Sequence, residues 1–117
     1  MIRILFMDDY EPSRVLFGKL FCQFSPTVIS DEDDWPAVLR EPRRFDAVFL
    51  NIKMKRCSGI DVARYLRHDI GYLGPIFAIT GLQAEQLSAE ERDVFDEVFT
   101  KPLVDHRKRI LSVLEGI

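Results

Sequence analysis

Three short apolar runs, residues 2–7, 45–50 and 75–79, are separated by stretches of helical periodicity, and this alternation limits the fold more than any other feature. An apolar run of five or six residues without polar alternation is a strand buried on both faces, as in parallel sheets covered by helices on either side. Two weaker runs, residues 27–30 and 97–100, have the length of edge or near-edge strands. Strands and helices alternate from end to end with no repeat and no Gly/Ser-rich linker. The 117 residues therefore predict a single domain, residues 1–117, of the α/β class with five strand-helix units.

The helical stretches follow from spacing. Pro12 suits a first helical turn, and Leu16, Leu20 and Phe24 recur every four residues beside Phe17 and Phe21. A short second helix is predicted over residues 34–41, stopped by Pro42. A third, over 59–69, carries Val62, Ala63, Leu66 and Ile70 and is closed by Gly71 and Gly74. Residues 83–95 are poorly amphipathic, although Ser88 and Glu91 form a capping-box pattern. The last helix, from Val104, places Ile110, Leu111, Leu114 and Ile117 on one side and Arg107, Lys108 and Arg109 toward solvent.

Composition narrows the function. With 47% apolar and 30% charged residues the chain reads as a soluble globular protein. Sixteen basic against nineteen acidic residues leave a net charge of −3, which gives no general attraction to nucleic acid or anionic lipid. The first apolar stretch meets Asp8 and Asp9 too soon for a signal peptide or membrane span, so a cytoplasmic location is expected. Cys22 and Cys57 lack metal-ligand spacing and are expected to be structural thiols.

In an open parallel sheet the binding crevice lies beyond the carboxyl ends of the strands. Those ends carry Asp8 and Asp9, Asn51, Thr80 and Gly81, and Lys101 followed by Pro102. Adjacent carboxylates are costly to hold together without a cation, and hard divalent ions such as Mg2+ take oxygen ligands. Capping of the next helix is the competing role for Asp8 or Asp9. Thr80 can donate a hydroxyl to an anionic oxygen, Gly81 lets a bound group approach the backbone, and Lys101 is a compact positive charge. Separately, each has an ordinary structural explanation: a strand-end turn for Thr80-Gly81, and a solvated loop lysine for Lys101. Pro102 makes a fixed, cis turn a further expectation.

Taken in order, these strand ends resemble the receiver domain of bacterial response regulators in two-component signalling, over essentially the whole chain. Asp8 and Asp9 match the family's acidic pair, Thr80 its hydroxyl residue and Lys101-Pro102 its Lys-Pro. Gly59 falls eight residues after Asn51, where the family places a glycine after its phosphoacceptor. The resemblance implies a flavodoxin-like, doubly wound (βα)5 three-layer sandwich of strand order 2-1-3-4-5. It also implies a Mg2+ site at Asp8, Asp9, the residue at position 51 and the main-chain oxygen of Lys53, with Thr80, Gly81 and Lys101 around the phosphoryl group.

The family's acceptor aspartate is replaced here by Asn51. An amide has no anionic oxygen to attack phosphorus, so ordinary phosphotransfer should fail. Loss of one negative charge should also weaken Mg2+, and the Lys53 ammonium is a candidate to replace the metal beside Asp8 or Asp9. Lys55 stands where the family usually has proline, and Val98 where it usually has a switching aromatic. Phe99 should face the core instead. The expected role is a pseudo-receiver in a phosphorelay, not an enzyme, whose state is set by occupancy. Expected partners are a histidine kinase, a histidine-containing phosphotransfer protein or an output protein, with no direct nucleic-acid or membrane contact. Because no output domain follows Ile117, the chain is expected to stand alone or to be part of a longer one. Two rival readings remain open. One is a phosphoaccepting regulator into which Asn51 was introduced, and the other a small Mg2+-dependent phosphatase with Asp8 or Asp9 as nucleophile.

Three further features have functional and structural readings. Glu85, Glu90, Glu91, Asp93, Asp96 and Glu97, set beside the basic turn His106 to Arg109, suggest a homodimer through the fourth helix, fifth strand and fifth helix, or a plain solvated surface. His68 and His106 are expected at the surface. Trp35 is expected to cap a core edge.

Overall fold

The computed structural model describes residues 1–81 and 86–117. Five strands, β1 (Ile4–Met7), β2 (Thr27–Ile29), β3 (Ala47–Asn51), β4 (Ile76–Thr80) and β5 (Glu97–Thr100), form one parallel sheet of order β2-β1-β3-β4-β5. The helices are α1 (Glu11–Leu20), α2 (Trp35–Val38), α3 (Gly59–Arg64), α4 (Ala89–Arg92) and α5 (Arg107–Glu115). No helix among the described residues is long and apolar enough to cross a membrane.

The strands are apolar on both faces because each face has its own core. Leu5, Met7, Val48, Leu50, Ile76 and Ala78 point into one cluster with Leu39, Val62 and Leu66. Their alternate neighbours Ile4, Phe6, Ala47, Phe49, Phe77 and Ile79 point into the other, with Phe17, Phe21, Ile110 and Leu114. That second face holds a row of rings from α1 to β5. Phe6 stacks on Phe17 at 4.3 Å, Phe17 reaches Phe49 at 5.4 Å, Phe49 reaches Phe77 at 5.0 Å, and Phe77 reaches Phe99 at 6.1 Å.

Several sequence expectations are corrected. The buried stripe of α1 is Phe17 and Phe21, with Leu16 and Leu20 half-buried; Phe24 lies beyond the helix in a 3-10 turn, Cys22–Phe24. The second helix is one turn long, started by Asp34, whose carboxylate accepts the Ala37 N–H at 3.3 Å. After Arg64 the third helix widens into a π-helix over Tyr65–Ile70 and ends at Gly71 with φ 74°. The extra residue per turn carries Ile70 off the apolar stripe and brings Tyr72 into the core instead. Ile117 is exposed rather than packed, and α5 begins only at Arg107, after a 3-10 turn over Leu103–His106. The Ser88 and Glu91 capping box is present, while residues 82–85, including Gln83 and Glu85, lie outside the described residues.

Candidate functional site

Strand register gathers the site. Met7 lies opposite Leu50, Asn51 opposite Ile79, and Thr80 opposite Thr100, so Asp8, Asn51, Thr80 and Lys101 share one edge of the sheet. Asp8 is wholly buried, and Asn51 and Thr80 nearly so. Gly59 presses the start of α3 against this edge, its N–H donating to the Ile52 carbonyl at 2.8 Å. A Cβ at Gly59 would collide with the Asn51 carbonyl oxygen, so this is a close approach that only glycine allows.

Asp8 is the hub. Its Oδ1 accepts the Tyr10 N–H at 3.0 Å and the Asn51 amide at 3.2 Å, and its Oδ2 accepts the Lys101 ammonium at 3.0 Å. Burial pushes the Asp8 carboxyl above the usual carboxylate range, with the Tyr10 N–H and Lys101 pulling the other way. Asp8 therefore serves the start of α1 only by receiving the N–H of its first flanking residue, and α1 has no side-chain cap. Asp9 turns outward, and its Oδ2 accepts the Lys55 N–H at 3.1 Å.

The Asn51 amide donates both its hydrogens, one to Asp8 Oδ1 and the other to the main-chain oxygen of Lys53 at 3.0 Å. Its NH2 group thus bridges two of the oxygens that the sequence assigned to a cation. The expected swing of the Lys53 ammonium is not what the structure adopts. Lys53 is exposed and makes no ion pair among the described residues, whereas Lys101 pairs with Asp8. Lys101 starts from a backbone pinned by its own N–H to the Thr80 carbonyl at 2.8 Å, and the bond to Pro102 that follows is cis. Beside Gly81 no atom of the described residues comes within 4 Å of where a Cβ would stand.

The same architecture occurs in solved response regulators. A receiver domain from Methylobacillus flagellatus matches with TM-score 0.77 at 21% identity, over 97% of this chain and 98% of that one. The response regulator TrrA from Thermotoga maritima, solved in complex with Mg2+ and BeF, matches with TM-score 0.75 at 25% identity, over 97% and 99%. The chain has the response-regulator receiver fold. Stress response regulator protein 1 of the yeast Lodderomyces elongisporus is 28% identical to this chain over 107 residues, 86% of the chain. The chain spans 29% of that protein's length, and 40% and 56% of its counterparts in Candida tropicalis and Meyerozyma guilliermondii. These relatives are yeast proteins, so the likeness is not confined to bacteria. No protein-family model matches the chain.

Residues neighbouring the site refine the picture. Val98 lies half-buried against the α3 face of the sheet, and Phe99 is core on the opposite face, as strand alternation requires. His106 is not a plain surface residue: it stands 3.4 Å from the Thr100 hydroxyl and packs on the Phe99 ring. His68 is exposed. Trp35 caps a core edge, its ring meeting Tyr65 edge-on at 5.4 Å. Much of the charge on the α4–β5–α5 side is used internally. Arg109 holds Glu97 through two bonds of 2.8 and 3.1 Å, and Asp96 accepts both Arg67 and the Ile76 N–H.

Three contributors escape a reading of sequence. Ser13 receives the Lys101 ammonium at 3.2 Å, the Arg14 guanidinium binds the Asp8 carbonyl at 2.9 Å, and buried Asp31 accepts the Arg56 N–H at 2.8 Å to tether the loop after β3. Only Asp31 carries a signal, since it closely follows a strand end on the same rim.

Proposed function

We propose that this receiver is a protein-interaction module of a two-component or phosphorelay network that works without phosphorylation at position 51. The observation that carries the reading is Asn51 itself. It ends β3 beside Asp8, and read as the counterpart of the family's acceptor it offers a neutral amide that is no nucleophile toward phosphorus. The Lys101–Asp8 pair supports the same reading, because a cation already balances the buried carboxylate.

The donor set suits a hard divalent cation only weakly. Asp8, Asp9, the Lys53 oxygen and, after a turn of the amide, Asn51 Oδ1 would hold Mg2+, with two negative charges in place of three. Bound there, Mg2+ would supply charge neutralisation for an incoming phosphoryl group. What this chain's own residues supply is a fixed edge, since the amide locks Asp8 to the loop after β3 and Lys101 locks it to β5. The partners proposed are a histidine kinase, a phosphotransfer protein or an output protein that reads this edge or the α4–β5–α5 face. A cytoplasmic setting is part of the proposal. Asp8 is too enclosed and too fully hydrogen-bonded to serve as a phosphatase nucleophile.

The intact rim of Thr80, Lys101 and Asp8 also favours a second reading, an acceptor regulator silenced at one position. Incubation with acetyl phosphate and Mg2+, followed by intact mass spectrometry, tests both. The first reading expects no phosphoryl adduct on the chain as it stands, and an adduct there would overturn it. An adduct on Asn51→Asp, absent from the parent, marks a pocket that lacks only its nucleophile.

A further inference from the structure

A partly enclosed cavity of about 120 Å3 lies between α1 and the turn after β5. Its walls are Phe6, Leu16, Ile79, Pro102 and Leu103, and among the described residues its polar lining is Ser13 and Lys101. An engineered apolar cavity of about 150 Å3 binds benzene, so this volume fits a body of about one small ring.

The polar wall has unspent donors. An ammonium has three N–H groups. Lys101 gives one to Asp8 Oδ2 and one to Ser13 Oγ, and the third meets no acceptor among the described residues. Ser13 Oγ receives Lys101, and its own hydroxyl hydrogen likewise has no acceptor among them. Two donor groups, one of them charged, therefore line an otherwise apolar space. A neutral hydrocarbon would leave both unused, and a second cation would be repelled.

We propose that this cavity binds a small monocarboxylate whose apolar body fills the space between Leu16, Ile79 and Leu103 and whose carboxylate accepts from Lys101 and Ser13. The binding itself does not depend on how the receiver signals. Its consequence does rest on the reading above: a carboxylate on Lys101 competes with Asp8 for the ammonium, and so would set the occupancy of the edge that partners read.

Benzoate is the probe, titrated into the full 117-residue chain with methyl and amide NMR, with benzene as the neutral comparison. The expected result is saturable shifts at Leu16, Ile79 and Leu103, contacts from the ring protons to those methyls, and benzoate binding at least tenfold tighter than benzene. Ser13→Ala should weaken benzoate about fivefold, the worth of one hydrogen bond, and leave benzene unchanged. Leu16→Phe should abolish both. If that variant does not fold, the ring contacts and Ser13→Ala decide. Absence of saturation, equal affinity for benzene and benzoate, or indifference to Ser13→Ala would each overturn the proposal. Partner affinity measured with and without benzoate then tests the consequence alone.

Discussion

Replacing Asn51 with aspartate should destabilise the metal-free protein and make its stability depend on Mg2+. The variant loses two hydrogen bonds, one to the Asp8 carboxylate and one to the Lys53 carbonyl, together worth about 2–4 kcal/mol. It also sets a second carboxylate where the amide nitrogen now stands, 3.2 Å from Asp8 Oδ1. Two unit charges at that separation repel by roughly 5 kcal/mol at an effective dielectric of about 20, before protonation relieves part of it. A net loss of at least about 2 kcal/mol at neutral pH is expected, a fall in Tm on the order of 10 °C for a chain of this size. The sign with pH follows from Asp8. Its carboxyl is already raised by burial, and a neighbouring carboxylate raises the pair further. The folded variant then holds a proton that the unfolded chain releases near 3.8. The destabilisation is full above the raised folded value and fades as the pH falls toward 3.8. Thermal unfolding in EDTA and in Mg2+ reads both effects; Mg2+ at a hundred times its Kd would restore about 2.7 kcal/mol. A variant as stable as its parent in EDTA at neutral pH would refute the assignment of the Asn51 amide as a stabilising hydrogen-bond donor to Asp8.

Three further outcomes are expected. Gly59→Ala forces a Cβ into the Asn51 carbonyl and should cost about 3 kcal/mol or prevent folding, read by urea denaturation, whereas Gly18→Ala, with no atom within 4 Å, should be tolerated. Tyr72→Phe removes a buried hydroxyl that has no hydrogen-bond partner among the described residues, and should raise stability by about 1 kcal/mol; a lower denaturation midpoint would contradict this. Asp46 takes the Arg3 N–H at 2.7 Å, and that bond with the Arg3 side chain holds its carboxyl below the usual range. Its contribution is present above 3.8 and is lost as pH falls through the depressed folded value. Asp46→Asn should therefore cost about 1 kcal/mol at neutral pH, and the gap to the parent should close in acid.

Much of the fold was legible because strand periodicity is local. Residues 4–7, 47–50 and 76–79 are apolar at every position, and only a sheet covered on both faces buries every position. Local signals also carried Pro12 at the start of α1, the Ser88 and Glu91 box, and Gly71 at a left-handed helix end. Elements whose limits depend on packing were misjudged. Ile70 keeps α-helical spacing in sequence, yet a π-helix spends that residue so that Tyr72 can enter the core. Ile117 keeps the same spacing but lies past the last turn that α5 buries.

The candidate site divides in the same way. Sequence alone determined its membership, since Asp8, Asp9, Asn51, Thr80 and Lys101 all terminate strands, and in a parallel sheet all strand ends lie on one edge. It also determined that position 51 carries an amide, which decides its reactivity whatever surrounds it. Tertiary structure decided who pairs with whom. Lys53 and Lys101 are equivalent as cations in sequence, but Lys53 is exposed while Lys101 reaches Asp8 and Ser13. Whether a buried carboxylate is met by a metal, an ammonium or an amide depends on distances of about 3 Å between residues far apart in the chain, and those distances exist only once the sheet has set its register.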